Sequence, residues 1–127
     1  MKSPSSLKEN VKLLNNLITR NEMLEAMQRF YSEGITMQEN EEELRQGKAF
    51  CIEHEKRNLE RMTFVSNRLL NQAIDEEKQV VFGEWEFVFT NKKGQTFRLT
   101  EVSVQQWEDG FVIREKFYYK NIMALDS

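Results

Sequence analysis

Cysteine, proline and long apolar runs are what this sequence has least of. Cys51 is the only cysteine, which excludes an internal disulfide and any zinc centre built from thiolates. Pro4 is the only proline, so no later position is barred from regular backbone hydrogen bonding. No apolar stretch approaches the ~20 residues needed to span a bilayer. The opening residues, MKSPSSLKENVK, hold no apolar core of a signal peptide. No membrane association is expected, and the expected compartment is the cytoplasm. A surplus of positive charge is missing too: 18 Lys and Arg stand against 21 Asp and Glu, for a net charge of −3. Neutralising phosphates drives most nucleic-acid affinity, and the basic residues here alternate with glutamates instead of forming a stripe. No nucleic-acid partner is expected.

What remains is ample for one domain. A chain of 127 residues suffices for a real core without covalent staples. Nine phenylalanines, three tyrosines and two tryptophans give it the rings that disordered chains lack. Repeats, linkers and low-complexity segments are absent.

The first half reads as helical. Ser6 and Glu9 have the spacing of a capping box, which predicts a helix over 6–18 with Leu7, Val11, Leu14 and Ile18 on one face. Thr19 and Glu22 repeat that spacing before a second helix, whose Met23, Leu24, Met27, Phe30 and Tyr31 share a side and whose expected stop is Gly34. A short strand over Gly34–Glu39 and a solvated acidic loop over Asn40–Arg45 follow. A third helix runs from Gly47 to about Arg61, with Ile52, Leu59 and Met62 roughly on one face.

From there the apolar period becomes two, predicting strands at about 63–74, 79–90, 95–107 and 111–122. The loops 91–94 and 108–110 each end in a glycine suited to positive φ. Gly83 lies mid-strand, where glycine often marks a bulge or bend. Helices followed by a strand meander predict an α+β fold, three helices on one face of a bent, mainly antiparallel sheet.

Two stretches carry a family resemblance. One is Ile35-Thr36-Met37-Gln38-Glu39-Asn40 with Gly47-Lys48-Ala49 opening the third helix. The other is the ending Val102 to Gly110 (VSVQQWEDG) followed by Ile113 to Tyr119 (IREKFYY), a strand closing in an aromatic, an Asp-Gly turn and a last strand with paired aromatics. In this order they resemble the SnoaL-like proteins of the nuclear transport factor 2-like superfamily, over nearly the whole chain. The resemblance implies a strongly curved sheet wrapped around helices as a cone with an apolar cavity, and dimers paired through the sheet. The functions it implies range over cyclases, ketosteroid isomerases, epoxide hydrolases, dehydratases and non-catalytic binding proteins, so the fold does not deliver a reaction. SnoaL-type cyclases tend to carry a histidine on the penultimate strand and an acid near the end of the last. Ser103 and Lys120 or Asn121 stand at those places here.

The last hairpin can be read by itself. A three-residue loop, Glu108-Asp109-Gly110, pairs Trp107 with Phe111, Gln105 with Ile113, Ser103 with Glu115, Glu101 with Phe117 and Leu99 with Tyr119. One face then holds Leu99, Trp107, Phe111, Ile113, Phe117 and Tyr119, with Glu101, Ser103, Gln105 and Glu115 as its polar members. A carboxylate among rings is desolvated, which raises its pKa toward the range of a general acid or base. Glu115 is the candidate catalytic residue. Glu101, Ser103, Gln105, Trp107, Ile113, Phe117 and Tyr119 are the candidate ligand pocket. The alternatives are that Glu115 is only hydrogen-bonded to Ser103 or to a helix, or that a two-residue loop turns it outward. Val102, Val104, Val112 and Tyr118 fall on the opposite face, expected to pair in a homodimer, although Arg114 and Lys116 on that face could keep it soluble.

The remaining motifs read as structural. Glu84 and Glu86 alternate outward with inward Trp85 and Phe87. Cys51 and His54 lack the further ligands a metal site needs; Cys51 is expected buried and His54 at a rim. The acidic run Glu39 to Glu43 lacks the loop of a calcium site. With no phosphate loop, nucleophile elbow or nucleotide fingerprint, no cofactor is expected. The resemblance, with these exclusions beside it, implies a cone expected to take a small apolar or amphipathic ligand. It acts as an isomerase, cyclase or hydrolase on an apolar carbonyl or epoxide compound, or serves as a non-catalytic dimeric binding or scaffold module.

Overall fold

A computed structural model describes residues 6–125 of the chain; Pro4 and the first residues of the opening segment lie outside them. The helix α1 (Leu7–Thr19) starts at the expected capping box, the Ser6 hydroxyl accepting from the Glu9 amide at 3.1 Å and the Glu9 carboxylate from the Ser6 amide at 2.9 Å. Two first-turn amides that would otherwise lack partners are satisfied this way. Leu7, Val11, Leu14 and Leu17 are buried. Helix α2 (Met23–Phe30) buries Ala26, Met27 and Phe30. Its N-cap, Glu22, makes no side-chain capping bond, its carboxylate accepting from Arg20 Nε at 2.9 Å, and the Thr19 hydroxyl donates to the Asn16 carbonyl at the end of α1.

The chain then passes without a linker into strand β1 (Tyr31–Glu39). Gly34 therefore lies inside a strand and is not the helix stop. Tyr31, Ile35 and Met37 are buried on β1, and that burial outweighs the glycine signal. After the two-residue strand β2 (Arg45–Gln46), helix α3 (Lys48–Arg61) buries Cys51 and Ile52. Four longer strands follow: β3 (Met62–Asp75), β4 (Val80–Asn91), β5 (Thr96–Glu108) and β6 (Phe111–Tyr118).

The last strand stops earlier than the sequence suggests. The Tyr119 amide donates to Asn40 Oδ1 at 3.0 Å, which draws the chain off β5. Pairing resumes as β7 (Ile122–Leu125), where Ile122, not Tyr119, lies opposite Leu99. The sheet order is β2-β1-β6-β5-β4-β3, with β7 beside the far half of β5; only β1 and β6 run parallel. Register shifts interrupt β3 against β4 at Phe64/Ser66 and Leu69/Asn71, β1 against β6 at Tyr31/Thr36, and β5 against β6 at Gln106/Trp107. Such bulges bend and twist a sheet, and this one curls, unclosed, around the three helices.

Gly83 pairs in register with Gln72 and Ser103, one pair beyond the Leu69/Asn71 shift. Its lack of a side chain has a specific use, since a Cβ there would lie 3.0 Å from Trp85 Nε1. The core is one cluster, running from α1 through Ile35 and Cys51 to Trp107 and Val112.

Candidate functional site

The hairpin that was to aim Glu115 differs from the expected one. Glu108 pairs with Phe111, leaving a two-residue turn of Asp109 (φ 51°) and Gly110 (φ 85°), the left-handed pair whose twist suits a tight hairpin. Alone, this register would send Glu115 outward. A bulge corrects it: Trp107 faces Val112 while Gln106 faces Arg114, so Ile113 is the extra residue. Beyond it Gln105 lies opposite Glu115 and Ser103 opposite Phe117. Glu115 thus reaches the inner face, beside Gln105 and not Ser103.

The shorter loop exchanges the residues nearest the turn. Val112, expected outside, is fully buried, and Phe111, expected inside, is exposed. Ile113, at the bulge, is half-buried and lies outside the cavity lining. Trp107 also does not line the cavity; it is buried in the core edge-to-face with Phe30, ring centroids 5.9 Å apart.

The helices and the inner sheet face line a partly open cavity of about 360 Å³. Glu101, Ser103, Gln105, Glu115, Phe117 and Tyr119 all line it. Much of its wall is apolar. Trp85 stacks on Phe87 at 5.7 Å and 6°, and Phe64 meets Phe87 and Phe89 edge-on. Alternation on β4 places Trp85, Phe87 and Phe89 inward, with Glu84 and Glu86 half-exposed outside, bonded to Asn71 and paired with Arg68 respectively.

Three groups of polar side chains face this space. In the first, Trp107 Nε1 donates to Gln105 Oε1 at 2.9 Å and Gln105 Nε2 donates to Glu115 Oε2 at 2.7 Å. Tyr31 Oη donates to the other Glu115 oxygen. Burial raises the Glu115 pKa, while the bonds from Tyr31 and Gln105 and the charge of Arg45 oppose it in part. Tyr31 is held well above its ordinary value by burial and by Glu115.

In the second group, Arg45 Nη1 contacts Glu39 Oε2 at 3.0 Å and Tyr119 Oη donates to Glu39 Oε1 at 2.6 Å. Beside them on α3, burial pushes Glu55 up to about 7 and lowers His54, which the Arg45 charge lowers further. Arg45 Nε is buried without a partner among the described residues.

The third group is Ser103 and Glu101, two and four residues before Gln105 on the inner side of β5. Glu101 is 8% exposed. Burial, then the negative charges of Glu115, Glu39 and Glu55, push it up to about 8, with no hydrogen bond or cation opposing. A carboxyl group in that position is neutral at pH 7 and can give a proton or, once ionised, take one.

Tyr31, Glu39, Arg45 and Glu55 are cavity residues that sequence reasoning missed. For Glu55 a signal existed: Cys51 lies one helical turn before it and is buried, so Glu55 shares the covered face. Among the described residues no three His, Cys, Asp or Glu side chains converge to hold a metal ion. No helix in that range is long and apolar enough to cross a membrane.

No family model and no curated protein sequence matches this chain. Solved structures do. A protein of Mesorhizobium loti, provisionally named a SnoaL-like polyketide cyclase and carbohydrate phosphatase, superposes with a TM-score of 0.81 at 18% identity, over 91% of this chain and 100% of its own. A protein of Xanthomonas campestris, provisionally named a polyketide cyclase, gives 0.76 at 18%, over 90% of each chain. An LEH-like epoxide hydrolase of M. tuberculosis gives 0.74 at 13%, over 90% of this chain and 82% of its own. The architecture is therefore the SnoaL-like, nuclear transport factor 2-like cone. At such identities the likeness carries the fold alone.

Proposed function

We propose that this chain binds a small, largely apolar molecule bearing a carbonyl or epoxide oxygen inside the cone and moves a proton on it. The observation that carries the reading is the placement of two buried carboxyl groups, Glu101 and Glu115, from neighbouring strands on one cavity of about 360 Å³. Glu115 has both oxygens engaged, so its role is to act through Tyr31. Protonated, it donates to Tyr31 Oη, which frees the phenol proton to bind a ligand oxygen. Such a donor, aimed where negative charge develops and shielded from water, stabilises an enolate or an opening epoxide. Glu101 has no standing partner, and it exchanges the proton with the carbon or leaving oxygen. Ser103, between the two on β5, orients the ligand.

Exchange of the α-protons of a panel of cyclic ketones in D₂O, followed by proton NMR, tests this, together with hydrolysis of a matching epoxide panel. The reading expects turnover with at least one compound, lost in Glu115→Gln and in Glu101→Gln while both variants keep the wild-type circular dichroism. Binding of the same compounds with no exchange and no hydrolysis would leave a non-catalytic binding module.

The outer sheet face supports the second part of the proposal, a homodimer. Phe82, Val102 and Tyr118 are exposed there at 44%, 37% and 45%, joined by the pairings Phe82–Val104, Glu84–Val102 and Val102–Tyr118. An apolar stripe across three strands gains from a partner sheet. Arg114 and Lys116 border it. Sedimentation equilibrium at micromolar concentration is expected to give twice the 15.2 kDa chain mass; a monomer at all concentrations removes this part. The single cysteine is free and buried, which suits the reducing cytoplasm proposed as its compartment.

A further inference from the structure

The charges lining the cavity do not balance. Four carboxyl groups, Glu39, Glu55, Glu101 and Glu115, face it against one arginine and one histidine. Arg45 is committed to Glu39 at 3.0 Å. Burial and then the Arg45 charge lower the His54 pKa, which favours its neutral form. The oxygens of Glu115 are taken by Tyr31 and Gln105. That leaves Glu101, more than nine-tenths buried, with no cation or hydrogen-bond donor acting on it among the described residues. Across the β4–β5 pairing its neighbour is Trp85, which lies flat against Phe87.

A carboxylate taken out of water needs a counter-charge or a proton. The described residues offer Glu101 no free cation, and the cavity wall does carry aromatic rings, whose negative π-clouds attract positive charge. A metal ion does not fit, because hard cations need several converging oxygens and no three acidic side chains converge among the described residues. An organic cation answers both features, one end for the carboxylate and the rings, the other for the apolar wall. We infer that the ligand of this cavity is an amphipathic amine, bound as its ammonium ion with the charge between Glu101 and the Trp85–Phe87 stack. The inference rests on the proposed binding reading and narrows its ligand: the carbonyl or epoxide compound also carries an amine, whose ammonium charge holds Glu101 in the ionised form that takes the proton.

Binding then exchanges one proton for another cation. Glu101 enters protonated, its carboxyl proton leaves to solvent, and the ammonium ion takes its place beside the carboxylate. Tyr31 and Glu39 on β1, Arg45 on β2, His54 and Glu55 on α3, Glu115 on β6 and Tyr119 after it are the other titratable and charged groups that share this space. With Glu101 at about 8, the ionised fraction rises from about a tenth at pH 7 to about nine-tenths at pH 9. Ammonium affinity is expected to rise roughly tenfold over that interval. An alkylamine titrating near the lysine value of about 10.4 remains mostly charged throughout.

Three probes that share one apolar cage and differ in head group test the inference: 1-adamantylammonium, 1-adamantanol and 1-adamantanecarboxylate. Binding is followed by calorimetry and by the indole N–H shift of Trp85. The ammonium ion is expected to bind about tenfold or more tighter than the alcohol at pH 9, to gain roughly tenfold from pH 7 to pH 9, and to release close to one proton at pH 7. The carboxylate is expected to be the weakest. Glu101→Gln is expected to abolish the pH gain and bring the ammonium ion to the level of the alcohol. The wild-type comparison stands alone if that variant folds poorly. Equal or tighter binding of the alcohol overturns the inference and leaves the binding cavity intact, as does a pH gain that survives Glu101→Gln. If none of the three probes shifts Trp85, the cavity reading fails together with it.

Discussion

Replacing Glu101 with glutamine is expected to stabilise the protein in a manner set by pH. Its folded pKa, about 8, lies above the 4.5 of a free glutamate, so folding takes up a proton between those two pH values. Stability from this group is complete below about pH 4.5, falls as pH rises through the window to about 8, and is flat above it. A gap of about three and a half pH units corresponds to roughly 5 kcal/mol at pH 9. Relaxation and water entering the cavity reduce such a figure, to something on the order of 2–4 kcal/mol. Glutamine has nearly the same size and no charge, so it removes the penalty without opening a hole. Urea unfolding of both proteins at pH 5, 7 and 9 reads the effect. The variant is expected to match the wild type at pH 5 and to exceed it by about 2–4 kcal/mol at pH 9, a midpoint gain of roughly 1–2 M for m-values near 2 kcal/mol/M. A difference that is constant with pH, or that grows toward acid, would refute the claim that Glu101 is a buried, uncompensated carboxyl.

Other perturbations separate the network from the packing. Tyr31→Phe removes one of the two hydrogen bonds to Glu115, and chemical denaturation at pH 8 is expected to show a loss of about 1–3 kcal/mol. In Gly83→Ala the new Cβ meets Trp85 Nε1 at 3.0 Å, and with that ring stacked on Phe87 the expected cost is about 1–3 kcal/mol, with a shifted Trp85 indole resonance as its marker. Leu14→Ala, at a site 1% exposed, is expected to cost about 2–5 kcal/mol in the same denaturation assay without changing the Glu101 titration.

The periodicity of the sequence located the elements better than it located the faces. The capping box at Ser6 and Glu9 and the glycines at 94 and 110, both with positive φ, depend on local chemistry, and they stand where local chemistry puts them. The junction at Tyr31 does not. Phe30 ends a helix and Tyr31 starts a strand, both buried, and a run of apolar residues has the same appearance in either element. The hairpin is more instructive. The loop is one residue shorter than the spacing suggests and the bulge at Ile113 adds one back, so Glu115 points inward through two departures that cancel. A bulge is fixed by packing against other strands, and a single strand's alternation holds no record of it. Glu39, Arg45 and Glu55 were hidden for a related reason. Charges in an acidic loop and a polar helix read as solvated until the sheet curls round to cover them.

The most direct test of the account is a site-resolved carbon-13 titration of the Glu101 side-chain carboxyl, assigned with Glu101→Gln and observed alongside the Trp85 indole N–H. The account predicts a midpoint near 8 for Glu101 and a Trp85 shift with the same midpoint, because the two residues are paired across β4 and β5. A Glu101 midpoint at the ordinary glutamate value of about 4–4.5, with Trp85 unresponsive between pH 6 and 9, would contradict it.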